Sequence, residues 1–313
     1  MRDLRIVFMG TPEFAVPTMA AIHNSRHKIV GVVSQPDRPR ARGKKVLPTA
    51  VKQFALDNHL SPILQPEKMK DPAFIDALQS LNADVFVVVA FRILPETVFA
   101  MPKFGTINLH PSLLPRYRGA APINWTIING DSETAITTIF IQKEIDAGNI
   151  ILQRKMPVFA EDTAGSLHDR LADKGAEMML ETLDQIAAGT VTPTKQDDSL
   201  VTPAPKLTKE ICHLNFGQPA KAVRQWIHGL SPYPGAFAML DDQQLKCFRA
   251  SVIDEQPQPE APGTIVRAEK DALWIACAPG IVAIEEMQLP GKRRLSVDEF
   301  LRGNPLPMGK ILQ

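Results

Sequence analysis

Asp84 to Ala90 reads DVFVVVA, and after the leading aspartate every side chain in it is apolar. A strand with water on one face alternates apolar and polar residues, whereas a strand apolar throughout has both faces covered. Two further runs have this character: Leu4 to Met9 (LRIVFM), which stops at Gly10, and Ile29 to Ser34 (IVGVVS). Helical patterns separate the runs, over Glu13 to Asn24, over 49–58 and over 71–81, where Phe74, Ile75, Leu78 and Leu81 recur at helical spacing. Thr11 and Pro12 read as the N-cap and first residue of the first helix. Shorter strands are predicted at Thr106 to Leu109 and Ala135 to Ile141, and a long helix over Asp162 to Ala188. Strands alternating with helices predict an α/β fold, a Rossmann-like doubly wound and mostly parallel sheet.

At 313 residues the chain is too long for one small core. Val191 to Pro205 (VTPTKQDDSLVTPAP) is polar, Pro-rich and without periodicity, as a linker is. Beyond it comes a helical pattern, Pro219 to Leu230. Short strand-like runs follow at Gly235 to Leu240, Leu245 to Ile253, Gly263 to Ala268, Ala272 to Ala276 and Ile281 to Met287. Short strands at close spacing predict a smaller C-terminal β-barrel of OB-like type. The expected division is therefore 1–190, a linker at 191–206, and a barrel at 207–313.

The net charge is +1, and residues 207–313 carry 12 basic and 12 acidic side chains, so any nucleic-acid contact must come from local patches. The longest apolar run, Val85 to Phe91, is far too short to span a membrane, and MRDLRIVFMG lacks a signal-peptide layout. Cys212, Cys247 and Cys277 lie thirty or more residues apart, which offers neither a local metal knuckle nor an even disulfide count. A cytoplasmic, reduced setting is expected. Nothing demands a dimer, so a monomer is expected.

The chemistry concentrates in Phe104 to Pro122, FGTINLHPSLLPRYRGAAP. Asn108 and His110 are two positions apart, so on a strand they share a face. Asp146 follows 36 residues after His110, in EIDAGNI. An amide donor beside an imidazole, with a carboxylate within reach, is equipment for stabilising an oxyanion and moving a proton. Singly, each residue has a plainer explanation: a satisfied structural histidine, a turn-capping asparagine, a turn aspartate. Their place beyond the carboxyl end of an apolar strand, where open α/β sheets put their sites, favours the chemical reading. The first turn, GTPEFA, lacks Gly-x-Gly-x-x-Gly, so a dinucleotide cofactor is not supported.

Gln35 to Lys45 reads QPDRPRARGKK, with five basic residues among the eight from Arg38. Pro and Gly are expected to keep it out of helix and strand. It is either a solvated loop or a phosphate-binding finger. Lys292-Arg293-Arg294 is a second basic patch, in a turn after Gly291, that touches RNA backbone or is merely exposed. Trp226 is expected in the core of its helix, and Tyr233 in a structural role.

MGTPEFAVP, QPDRP with RGKK, NLHPSLLPRYRGAAPI, IDAGNI, SPYPG and APGTI occur in one characteristic order. On these motifs, over nearly its whole length, the chain resembles the methionyl-tRNA formyltransferase family. SLLPRYRG is shared by folate-dependent formyltransferases in general; the basic loop and the C-terminal barrel narrow the likeness to the tRNA-modifying branch. The resemblance implies transfer of a formyl group from 10-formyltetrahydrofolate, as co-substrate, to the amino group of methionyl initiator tRNA, without a metal. It implies Asn108, His110 and Asp146 as catalytic residues, and Ser112, Leu113, Leu114 and Pro115 as folate contacts. Phe91, Arg92, Ile93 and Leu94, directly after the most apolar strand, are placed to line the pterin slot. The basic residues Arg38, Arg40, Arg42, Lys44 and Lys45 are implied to contact tRNA. This chain has Phe91-Arg92 where members usually have Tyr-Gly, and Arg40-Ala41-Arg42 where they often have Ala-Gly-Arg. The rival readings are a folate-dependent formyltransferase for a sugar nucleotide or glycinamide ribonucleotide, a formyl-folate hydrolase, and a non-catalytic RNA-binding protein.

Overall fold

A computed structural model of the chain describes residues 2–40 and 45–313. They form two compact units, one from Met1–Gly119, Thr134–Met156 and His168–Pro203, the other from Ala120–Glu133, Pro157–Leu167 and Ala204–Gln313.

The first unit is built on a sheet of seven strands: β1 (Arg5–Gly10), β2 (Lys28–Val33), β3 (Ile63–Leu64), β4 (Val85–Val89), β5 (Thr106–His110), β6 (Glu133–Phe140) and β7 (Ile150–Pro157). Their order across the sheet is β7-β6-β5-β4-β1-β2-β3. β1 pairs parallel with β2 and β4, β2 with β3, and β4 with β5, while β6 runs antiparallel to β5. The parallel-rich α/β reading therefore holds. β4 is buried at every position, as its unbroken apolar run requires. Phe86 and Val88 point into a cluster with Val7, Met9, Phe74 and Leu78, each such side chain stabilising by roughly 1.5–3 kcal/mol.

Local signals set the helix starts. Thr49 caps Ala50–Asp57 by accepting from the Lys52 N–H at 3.1 Å, and Asp71 caps Pro72–Ser80 from the Ala73 N–H at 3.0 Å. Thr11 caps nothing, contrary to expectation. A 3-10 turn occupies Glu13–Ala15, the α-helix runs Val16–His23, and the Thr11 hydroxyl is buried without a partner. Pro17 is the reason: it has no N–H to give to the Glu13 carbonyl, so an α-helix cannot run unbroken from Glu13. The edge strand β7 was not expected, because Gln153, Arg154 and Lys155 in its middle are exposed and polar.

The basic loop also departs from expectation. Arg38–Arg40 pairs antiparallel with Lys45–Leu47, Arg40 opposite Lys45. A two-stranded ribbon has two open edges, so a proline that cannot donate is tolerated there. Its base is pinned by Lys52, which bonds Asp37 and donates to Gln65 Oε1 at 2.7 Å, while Gln65 Nε2 donates to Asp37 Oδ1 at 2.8 Å. Arg42 and Lys44 lie outside the described residues.

The second unit carries an antiparallel sheet of β8 (Ala236–Leu240), β9 (Gln243–Asp254), β10 (Ile265–Glu269), β11 (Ala272–Cys277) and β12 (Gly280–Gln288), in the order β8-β9-β12-β11-β10. Its core joins Leu245, Ile265, Ile275 and Ile284 to Ile227 of the helix Ala220–Gly229. Trp226 packs on that core, its indole N–H donating to the Ile211 carbonyl at 2.7 Å. Tyr233 is 83% exposed. The second basic patch is largely neutralised: Arg293 pairs with Glu299 at 2.9 Å, and Arg294 pairs with Glu286 and lies over the Phe248 ring. The three cysteines are buried and unpaired, and burial pushes the Cys247 and Cys277 thiols up to about 12.

His228 is 1% exposed. Its Nδ1 lies 3.2 Å from the Asp162 carbonyl, and its Nε2 lies 3.0 Å from the Ala250 carbonyl and 3.2 Å from the Ala250 N–H. Burial, reinforced by the nearby Arg224 charge, lowers its pKa. The unfolded imidazole then takes up a proton, near its ordinary value of about 6.5, that the folded one refuses. Stability should therefore fall as pH drops through and below that value. Melting temperatures measured from about pH 7.5 to about 5.5 should decline, and less steeply in His228→Gln. An equal slope in the variant would show that His228 does not carry the effect.

Candidate active site

β5 lies between β4 and β6, with Asn108 opposite Val88 and Ile139, and His110 opposite Thr137. Ile107 and Leu109 are buried on one face, while Asn108 and His110 share the other. The helix Ala164–Ala188 comes close over this strand at Gly175, where a β-carbon would fall 2.6 Å from Leu109 Cδ2. Glycine at that position admits the approach.

The Asn108 side chain is half-buried and has no hydrogen-bond partner among the described residues. His110 is 4% exposed and lies between two acceptors. Its Nε2 is 3.0 Å from the Tyr117 carbonyl, which can only accept, so Nε2 carries a proton. Its Nδ1 faces Asp146 Oδ1 at 3.6 Å, ion-pair range but longer than a hydrogen bond. Asp146 Oδ2 in turn accepts the Gly119 N–H at 2.9 Å. His110 and Asp146 are thus brought together, and Asn108 stands on the same face of β5 as His110.

Both partners of His110 stand in left-handed backbone conformation, Tyr117 with φ 63° and Asp146 with φ 53°. Non-glycine residues there are strained and need support from their surroundings. Support at Asp146 comes from Gln196, which is 5% exposed and lies inside the stretch expected to be a linker. Its Nε2 donates to the carbonyls of Asp146 and Gly148, both at 2.7 Å, and its Oε1 accepts from Arg118 at 2.9 and 3.1 Å. Arg118 also pairs with Asp198 at 2.9 Å. At Tyr117 the N–H donates to Thr202 Oγ1 at 2.9 Å. Gly148 lets the loop close, since a β-carbon would lie 1.6 Å from the Phe140 carbonyl oxygen. Sequence reasoning missed Tyr117, Gly119, Gln196 and Thr202. Two act through the backbone, which has no sequence signature, and two sit in a polar stretch without periodicity.

The expected folate segment adjoins His110. Ser112 is fully buried, and its hydroxyl donates to the Arg116 carbonyl at 2.7 Å, closing its own turn. Leu114 is 3% exposed, with its carbonyl accepting from Gln153 Nε2 at 2.9 Å. Leu113 and Pro115 are half-buried. The Phe91–Pro95 corner follows β4, the parallel neighbour of β5, and so stands at the same end of the sheet. The Arg92 guanidinium lies 5.6 Å from the Phe91 ring centroid and donates to the carbonyls of Pro66 and Glu67. Burial lowers the Arg92 pKa, opposed by Glu67 and reinforced by Arg38. Ile93 is 70% exposed, whereas Leu94, at 6%, belongs to the core. Arg38 is exposed at the ribbon's start. Among the described residues no group of three His, Cys, Asp or Glu could hold a metal ion, and no helix is long and apolar enough to cross a membrane.

The formyl transferase family model matches residues 4–183, and the model of the formyl transferase C-terminal domain matches 206–305. A methionyl-tRNA formyltransferase of Citrifermentans bemidjiense is 45% identical over 100% of this chain and 97% of its own. One from Bacteroides fragilis is 47% identical over 96% of this chain and 95% of its own. Among solved structures, HypX from Aquifex aeolicus in complex with tetrahydrofolic acid superposes with a TM-score of 0.67 at 19% identity. That match covers 100% of this chain and 51% of HypX, so it shows the fold alone, and this chain spans about half of that protein. Matched end to end by such relatives, and carrying both domains of their architecture, the chain belongs to the methionyl-tRNA formyltransferase family.

Proposed function

We propose that this protein transfers the formyl group of 10-formyltetrahydrofolate to the free amino group of methionyl initiator tRNA, in the cytoplasm and as a monomer, for translation initiation. The observation that carries the mechanism is the approach of Asp146 to His110 at the end of β5, with Asn108 on the same face of that strand. The acceptor amine is already a nucleophile, so no serine or cysteine nucleophile is needed. As it attacks, negative charge builds on the formyl oxygen. Asn108 is suited to receive that charge, because its amide N–H groups have no internal partner among the described residues to give up. A new C–N bond forms as the bond to the folate nitrogen breaks; the amine sheds a proton and the departing folate nitrogen takes one up, so no net proton is released. Asp146 Oδ1, anchored through Oδ2 on Gly119 and backed by His110 Nδ1, can hold that proton. The Tyr117 carbonyl fixes the histidine tautomer, leaving Nδ1 as the edge that exchanges with the carboxylate.

The donor needs an apolar slot with a few backbone hydrogen bonds. Phe91 and Ile93 offer apolar surface at the right end of the sheet, with Arg92 beside them and Leu94 underlying the corner. Leu113 and Pro115 continue the wall, while Ser112 and Leu114, whose side chains are committed inside, hold the turn that carries it. The chemistry requires no metal. The tRNA is met by Arg38, Arg40, Arg42, Lys44 and Lys45, whose charge suits a phosphate backbone. We read the C-terminal antiparallel sheet as an OB-like barrel that adds tRNA contacts; the register shifts between β9 and β12 support this, because bulges bend strands toward closure.

Asn108→Ala should lower the transfer rate roughly 10²–10³-fold, with tRNA affinity unchanged, in a single-turnover assay of labelled formyl transfer. His110→Ala should abolish transfer while retaining tRNA binding; undiminished transfer by either variant would sink its assignment. Arg42→Ala should weaken productive use of tRNA, and the defect should shrink as salt rises, because phosphate contacts are screened. A defect confined to folate affinity would contradict the loop's role.

A further inference from the structure

We propose that Gln196 is a positioning residue for formyl transfer, its carboxamide fixing the loop that holds the Asp146 carboxylate against His110. This rests on the role given to Asp146 above. A glutamine amide has two N–H donors and one carbonyl with two lone pairs. Here all four are used: the donors on the carbonyls of Asp146 and Gly148, the acceptor twice on Arg118. The orientation follows from its partners, since two carbonyls cannot face the oxygen end.

Two things converge on this one amide. One is the backbone behind Asp146, whose φ of 53° is unfavourable for a side-chain-bearing residue and needs an external hold. The other is Arg118, whose neighbour Gly119 donates to Asp146 Oδ2. Gln196 thus links the main chain carrying the carboxylate to the segment that aims it. Near-complete burial keeps water from replacing the bonds. Glutamate would keep an acceptor for Arg118 and remove both donors. The near-isosteric methionine would remove all four bonds.

The test compares Gln196→Glu, Gln196→Met, Asp146→Asn and the Gln196→Glu/Asp146→Asn double variant in single-turnover transfer, with folded fractions measured by circular dichroism. A misplaced catalytic group costs on the order of 10–100-fold, so Gln196→Glu should lose that much in rate. KM for folate and for tRNA should stay within about twofold, as for an interaction made only in the transition state. The double variant should be no slower than Asp146→Asn alone. A wild-type rate in Gln196→Glu, fully multiplicative losses in the double variant, or a Gln196→Met loss that vanishes on normalising to folded protein would each overturn the proposal. Full activity of Asp146→Asn would instead remove the role of Asp146, and the proposal with it.

Discussion

His110 is clamped between the Tyr117 carbonyl and the Asp146 carboxylate, and the rest of the first unit is arranged to make that clamp possible. Both partners sit in left-handed backbone, which costs roughly 1–3 kcal/mol apiece. The loops carrying them are held by bonds to residues distant in sequence: Thr202 to Tyr117, Gln196 to the carbonyls around Asp146, Gly119 to the carboxylate itself. Strain at one point is offset by saturated polar networks around it, which is how a site can be rigid without being built on regular structure.

The strand underneath supplies the other half of the rigidity. β5 is paired on both edges, and Gly175 brings a long helix close over it. Asn108 and His110 therefore have little backbone freedom, and their separation is set by the strand pleat. Among the described residues Asn108 keeps an uncommitted amide in this setting, while His110 and Ser112 along the same segment are engaged. An amide held on a paired strand with no internal partner to give up is free to meet a developing oxyanion, and this is the physical basis for reading it as the oxyanion donor.

Much of this was legible from residues alone. Unbroken apolar runs gave the central strands, the helices over 49–58 and 71–81 were legible, the latter from its apolar spacing, and the two-residue spacing of Asn108 and His110 gave their common face. The approach of Asp146 was legible only through family likeness. What stayed hidden has one physical character: it depends on main-chain atoms or on contacts distant in sequence. The carbonyl of Tyr117 and the N–H of Gly119 belong to every residue type. Gln196 and Thr202 lie in a stretch that looks like a linker because its order comes from bonds to Ile150, Tyr117 and Arg118 rather than from its own periodicity. Pro12 misled for a related reason, since the missing donor that mattered belonged to Pro17. The basic loop's strand pairing was likewise invisible, because a two-stranded ribbon needs no apolar pattern.

The most direct measurement follows labelled formyl from 10-formyltetrahydrofolate in the presence of methionyl initiator tRNA or the same tRNA uncharged. Label should appear only on the charged tRNA, as an amine acceptor requires. Folate turnover with no label on either tRNA would contradict the central claim, pointing to a small-amine acceptor or to water and leaving the basic ribbon as a solvated surface.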